Sequence, residues 1–255
     1  MVTRHARRGG GAGAGGGVRV TVTVLQGDAR DILPTLAAER SVIVTDPVWP
    51  NAPQGSVAGS SDPVGLFRSV APLLRRFRRV VVQLGCDSDP AMLAALDMPF
   101  LRVCWLRYAC PTYKGRLLHT GDVAYAFGAW PAARPGATVI PGEVTSTRSD
   151  VQFLRGPKRR GKALGGHAAL AHPMPRRLEH VCWLVKWFVE PGETVVDPFA
   201  GSGTTGVAAA RVGRDATLIE IEPRYADLAR CRVRDDAGLF ADAPELVPGL
   251  MQEGV

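Results

Sequence analysis

The sequence lacks paired cysteines, long apolar runs and a dominant charge. Its five cysteines, Cys86, Cys104, Cys110, Cys182 and Cys231, are scattered, and no two form a C-x-x-C pair. This excludes a disulfide framework and reads as free thiols in a reducing compartment. The five histidines do not fall at ligand spacing with the cysteines, so no metal site is expected. No apolar run reaches the length that spans a bilayer, and the Gly/Ala stretch at 9–17 is no signal core. A cytoplasmic protein is expected. Glycine and proline are abundant, at 29 and 20 of 255 residues, but without the G-X-Y period of collagen. A hydrophobic fraction of 46% excludes global disorder, and the length suits one domain of ordinary size. Thirty-one Lys and Arg against 24 Asp and Glu give +7, a mild excess that favours a polyanionic partner.

Residues 1–17 carry three arginines and no acid and read as a flexible basic tail. Strands are expected at 20–25, 42–45, 79–84, 102–107, 123–127, 194–196 and 216–221. Helices are expected at 31–38, 63–77, 90–96, 178–188, from 205 to before Gly213, and at 224–232. Seven strands mostly separated by helices make an α/β three-layer domain. Between 131 and 167 the periodicity fades. There Arg134, Arg148, Arg155, Lys158, Arg159, Arg160 and Lys162 face only Glu143 and Asp150 in number, which marks a basic insertion. Residues 235–255 hold five acids and no base and read as a weakly ordered tail. Cys104, Trp105, Trp183 and Trp187 fit strand or helix patterns and read as core. His119, His167 and His180 read as structural or surface residues.

Two turns follow predicted strands, where α/β sheets bind their ligands. The first is Asp197-Pro198-Phe199-Ala200-Gly201-Ser202-Gly203-Thr204-Thr205, which leads into a helix. Its glycines permit a tight turn and a close ligand approach, and the helix N-terminus offers free amides. Thr204 or Thr205 can cap that helix. No lysine follows, so it is not a phosphate P-loop. Glu220 ends the next strand, where a carboxylate can accept both hydroxyls of a ribose. These residues alone do not separate NAD from S-adenosylmethionine.

The second turn is Asp46-Pro47-Val48-Trp49. A carboxylate here can accept one hydrogen of an exocyclic amine, and the Pro47 carbonyl can accept the other. Trp49 offers a flat face for a nucleobase. Two acceptors on one NH2 orient its lone pair toward an electrophile, which is catalysis by positioning.

Together these segments resemble the amino-group DNA methyltransferases, which make N6-methyladenine or N4-methylcytosine. Residues 46–49 resemble their Asp-Pro-Pro-aromatic motif. Residues 197–205 are similar nearly letter for letter to Asp-Pro-Phe-x-Gly-Ser-Gly-Thr-Thr. Glu222-Pro223-Arg224-Tyr225, Gln26-Gly27-Asp28 and His172-Pro173 resemble further family motifs. The catalytic motif precedes the cofactor motif, as in the circularly permuted beta group. The resemblance implies a Rossmann-like methyltransferase fold, a seven-stranded, mostly parallel sheet with one antiparallel edge hairpin. It implies a catalytic domain at 18–234 with a target-recognition insert at 128–166, flanked by the tails 1–17 and 235–255.

The implied cofactor is S-adenosylmethionine, held by Asp28, Asp46, His172, Asp197, Phe199, Gly201, Gly203, Thr204, Thr205 and Glu220. The implied catalytic set is Asp46, Pro47 and Trp49. The implied partner is double-stranded DNA, contacted by the seven basic insert residues, with a homodimer by family habit and a bacterial or phage host. Adenine is the preferred base, because Asp-type motifs go more often with adenine. N4-cytosine methylation, a catalytically impaired DNA-binding relative and an NAD enzyme are the rivals. Val48 departs from the motif's second proline, and Arg176-Arg177 stand where the family usually has Lys-Pro. No Pro-Cys motif of carbon-5 methylation stands in a suitable place; Cys110-Pro111 is in the reverse order.

Overall fold

β2 (Ser41–Thr45) is buried along its whole length, as a strand covered by helices on both faces must be. In the computed structural model, which describes residues 20–132, 140–146, 176–237 and 245–248, it lies near the middle of a nine-stranded sheet. On one side it pairs in parallel with β3 (Arg79–Gly85). On the other it pairs in parallel with β7 (Thr194–Asp197), followed by β8 (Ala216–Glu220) and β1 (Thr21–Gln26), also parallel. The carboxyl ends of β2, β7, β8 and β1 therefore lie side by side along one edge of the sheet.

The antiparallel strand is β5 (Leu117–Gly128), paired with β3 and with β4 (Phe100–Lys114). The sheet order is β6-β4-β5-β3-β2-β7-β8-β1-β9. The seven expected strands are all present, and two more join at the edges. β6 (Glu143–Ser146) pairs with β4, inside the segment expected to be an insert. β9 (Glu245–Pro248) pairs with β1, inside the expected acidic tail. Four-residue edge strands gain their hydrogen bonds from a distant neighbour, so neither has a local signature.

The helices are α1 (Ala29–Ile32), α2 (Pro63–Leu74), α3 (Leu178–Phe188), α4 (Thr204–Val212) and α5 (Pro223–Ala237). α5 runs past the expected domain boundary at 234. Residues 90–96, expected as an α-helix, form a 3-10 helix opened by Asp89, which accepts from the Ala91 amide at 2.9 Å. Alternating strand residues build two cores. Val42, Val44 and Val81 pack with α3, α4 and α5 residues such as Leu184, Val207 and Ala229. Ile43, Val80 and Val82 pack with α2 residues such as Phe67 and Leu74. Cys104 is buried and Trp183 and Trp187 pack at the margin of the first core. Trp105 is not core: it is 55% exposed, because alternation along β4 turns it away from the face that buries Cys104 and Leu106.

Arg79 anchors the opposite end of the sheet. Its buried guanidinium pairs with Glu190 and Glu193, each at 3.1 Å, and donates to the carbonyls of Phe188 and Ala129. Removing one partner of such a network strands the others. Arg79→Ala is expected to lower stability by about 3–5 kcal/mol, measured as the loss in urea-unfolding free energy. Among the described residues no helix is long and apolar enough to cross a membrane.

Candidate active site

The turn after β2 begins with Asp46, whose side chain is 23% exposed. Its Oδ1 accepts from the Trp49 indole at 2.7 Å, and its Oδ2 accepts from Nε of Arg176. The Arg176 guanidinium carbon lies 3.7 Å from the centroid of the Trp49 ring. Burial raises the Asp46 carboxyl to about 6 against the opposing pull of Arg176. Loss of hydration outweighs the ion pair here. Trp49 is buried, and the tip of its ring lies against Gly85, at the end of β3. A Cβ on Gly85 would stand 2.5 Å from the Trp49 Cζ3, so this glycine makes room for the indole. Gly85 and the Arg176 stack are two features of the site that sequence spacing does not reveal.

The Gly-rich turn is built around Asp197. Its Oδ1 accepts from the Thr45 hydroxyl at 2.7 Å and the Phe199 amide at 3.1 Å, and its Oδ2 accepts from the Thr205 hydroxyl at 2.6 Å. Asp197 thereby ties the end of β2 to the first turn of α4. It is raised to about 6 by burial. Gly201 and Gly203 have φ of 51° and 79°, the left-handed region that favours glycine. At Gly203 a Cβ would also meet the Cβ of Ala229 at 2.7 Å. Gly203, not a threonine, occupies the N-cap of α4. Arg232 of α5 secures the turn by donating to the Ser202 carbonyl and hydroxyl at 2.7 Å and to the Thr204 hydroxyl at 3.1 Å.

Glu220 accepts from the Gly201 amide at 2.7 Å and the Glu222 amide at 2.8 Å. One oxygen serves each bond, so lone pairs remain for a diol. Burial raises its carboxyl above the usual range. Asp28 caps α1 through the Arg30 amide at 2.8 Å and pairs with the Arg30 guanidinium at 2.5 Å. That side-chain bond holds its carboxyl below the usual range.

Most of these groups line one cleft of about 430 Å³, within the range of small-molecule sites. It contains Asp28, the 46–49 turn, the 197–205 turn except Gly203, Glu220, half-exposed Ile221 and Arg176. Strand order brings the two turns together across about 150 residues of sequence. Of the expected site residues, His172, Arg134, Arg148, Arg155, Lys158, Arg159, Arg160 and Lys162 lie outside the described residues, as do His167 and the 1–17 tail. His180 is buried, its ring stacked on Tyr108 at 5.7 Å and one nitrogen 3.0 Å from the Arg107 carbonyl.

Cys86, Asp87 and His119 also come together, with ligating atoms within 4.8 Å of one another. The thiol faces the imidazole Nδ1 at 3.9 Å and the Asp87 carboxylate faces Nε2 at 3.6 Å. The two therefore stand toward different ring nitrogens rather than converging on one point with a single nitrogen.

Residues 112–230 match a family model described as DNA methylase. A 69-residue stretch, 27% of the chain, is 41% identical to the Type II methyltransferase M.SmaI of Serratia marcescens, of which it spans 22%. The chain thus spans well under half of that curated relative. Among solved structures, the M1.HpyAVI complex with SAM aligns with 84% of this chain and 99% of its own, at a TM-score of 0.59 and 18% identity. The PvuII DNA methyltransferase, cytosine-N4-specific, aligns with 85% of this chain and 89% of its own, at the same TM-score and identity.

Proposed function

From the match of residues 112–230 to the DNA methylase family model, we propose that this chain belongs to that family and that it methylates the exocyclic N6 of an adenine in DNA. The observation that carries the reading is the Asp46 carboxylate beside Trp49, opening on the same cleft as the Gly201–Gly203 turn. The residues fit S-adenosylmethionine. Glu220 keeps acceptor capacity for the ribose hydroxyls, Ile221 and Phe199 offer apolar surface to the adenine ring, and the glycine turn lets the chain approach closely. When bound, that cofactor supplies an electrophilic methyl group on its sulfonium.

The protein's own contribution is positioning. A base in a duplex cannot reach the cleft, so it is flipped out of the stack. Asp46 Oδ2 and the Pro47 carbonyl accept the two amine hydrogens and turn the nitrogen lone pair toward the cofactor side. Trp49 supports the base plane. The amine nitrogen gains a methyl group and releases one proton. The basic residues at 134–162 supply phosphate contacts, which give affinity and salt dependence, and a second copy of the chain completes a homodimer.

The test is to incubate the protein with labelled S-adenosylmethionine and unmethylated genomic DNA, digest the DNA, and identify the labelled nucleoside by mass spectrometry. Label in N6-methyladenine supports the proposal. Label in N4-methylcytosine keeps the mechanism and overturns the base, and label in neither overturns the activity. The raised Asp46 carboxyl adds a pH signature. The amine acceptor is the ionised form, so kcat/KM is expected to fall tenfold per pH unit as pH drops below about 6.

A further inference from the structure

The place proposed for the target amine is already taken by a side chain of the protein. Arg176 puts its Nε–H on Asp46 Oδ2 and lays its planar guanidinium over the Trp49 ring, 3.7 Å from the centroid. These are the two contacts that a flipped adenine or cytosine would make, an N–H on the carboxylate and a flat face on the indole. Arg176 and Asp46 are only 15% and 23% exposed, so the arginine and a base cannot share the site.

Resting on the reading above, we propose that Arg176 is a stand-in for the target base, holding Asp46 and Trp49 until a base carrying an exocyclic amine displaces it. The exchange sets a specificity threshold. An amine-bearing base replaces the N–H that Asp46 loses. Thymine has no exocyclic amine, so it presents a carbonyl and would leave a buried carboxylate without that donor, which is costly. The surroundings keep the arginine charged and available. Burial works against its charge, and Asp46, Asp122 of β5 and Tyr108 of β4 together outweigh that cost and favour the cationic form. Asp122 itself is held by Gln83 at 3.0 Å. Asp122 also opposes ionisation of Asp46, so among these charged groups Arg176 is what favours the Asp46 carboxylate between turnovers.

The experiment compares the wild type, Arg176→Ala and Arg176→Lys with unmethylated genomic DNA and labelled S-adenosylmethionine. The expected result in Arg176→Ala is a KM for DNA lowered about tenfold at pH 8, since a cation–π contact and a charged hydrogen bond no longer compete. The acid limb of kcat/KM moves up by about one pH unit, because the carboxylate has lost its cation. Lysine keeps the charge without the flat guanidinium, so it restores the acid limb and leaves KM low. A KM that rises would make Arg176 a DNA contact, and an acid limb that does not move would make it structural; either overturns the proposal.

A second arm does not need methyl transfer. The Arg176 Nε–H resonance of 15N-labelled wild type, assigned by its loss in Arg176→Lys, is followed during titration with adenosine, cytidine and thymidine. Adenosine and cytidine are expected to shift it and thymidine to leave it in place. A resonance that ignores all three, or responds to thymidine alike, overturns the stand-in role. Absence of label on DNA in the wild type is a separate result, and it overturns the methyltransferase reading instead.

Discussion

Asp46→Asn is expected to lower kcat for methyl transfer by about 10²–10³-fold, the scale of losing one well-placed electrostatic contact at a reacting group. Asparagine matches aspartate in size, so the argument turns on hydrogen-bond polarity. Oδ1 of Asp46 accepts from the Trp49 indole and Oδ2 faces the Arg176 Nε–H. An amide has one acceptor oxygen. Turned to satisfy Trp49, it points its NH2 at the position of the incoming amine, so donor meets donor. Turned the other way, it sets its NH2 against the indole N–H and releases Trp49. Either orientation loses one of the two contacts. The check is single-turnover methyl incorporation at saturating DNA and cofactor, and a rate within tenfold of wild type would remove Asp46 from the acceptor role.

Asp197→Ala is expected to have the next largest effect, on folding and cofactor binding together. The substitution strands the hydroxyls of Thr45 and Thr205 and the amide of Phe199. It also unties the end of β2 from the glycine turn that opens α4. The midpoint of thermal unfolding is expected to fall by roughly 10 °C at pH 5, for about 3 kcal/mol of lost hydrogen bonding in a domain of this size. The loss depends on pH with a definite sign. Burial raises the Asp197 carboxyl to about 6, so from the ordinary carboxylate value up to that point the unfolded chain gives up its proton first. The wild type therefore loses stability from this group as pH rises through that window, and the alanine variant does not. The deficit of Asp197→Ala is expected to be smaller at pH 8 than at pH 5. Calorimetric titration should show S-adenosylmethionine affinity reduced at least about tenfold, a cost of about 1.4 kcal/mol or more. An equal deficit at pH 5 and pH 8 would mean that the buried carboxylate is ionised throughout that range.

The strands of this protein were legible because β-branched runs such as Ser41–Thr45 and Arg79–Gly85 carry their own signal. Helix α3 was legible because its apolar residues recur at helical spacing between an arginine pair and Pro191-Gly192. Turn chemistry is equally local, so the sites at Asp46 and Gly201–Gly203 could be placed at strand ends before any fold was known. Pairing between strands is not local. β6 and β9 became strands only by finding β4 and β1, and Trp105 became a surface residue because, among the described residues, its face of the sheet is left open.

What the sequence by itself determined is therefore the chemistry on offer: a carboxylate and a carbonyl at one strand end, a glycine turn at another, and an acid at the next. Only the tertiary structure decided how these groups divide the work. Strand order put β7 between β2 and β8, and so joined two turns about 150 residues apart into one cleft. It made Asp197 an internal tie whose oxygens go to Thr45, Phe199 and Thr205. It also brought Arg176 onto Asp46 and Trp49, where packing raises one carboxyl and supplies the cation that opposes the rise. Motifs are set by neighbours in the chain, whereas burial, charge pairing and competition for a site are set by neighbours in space.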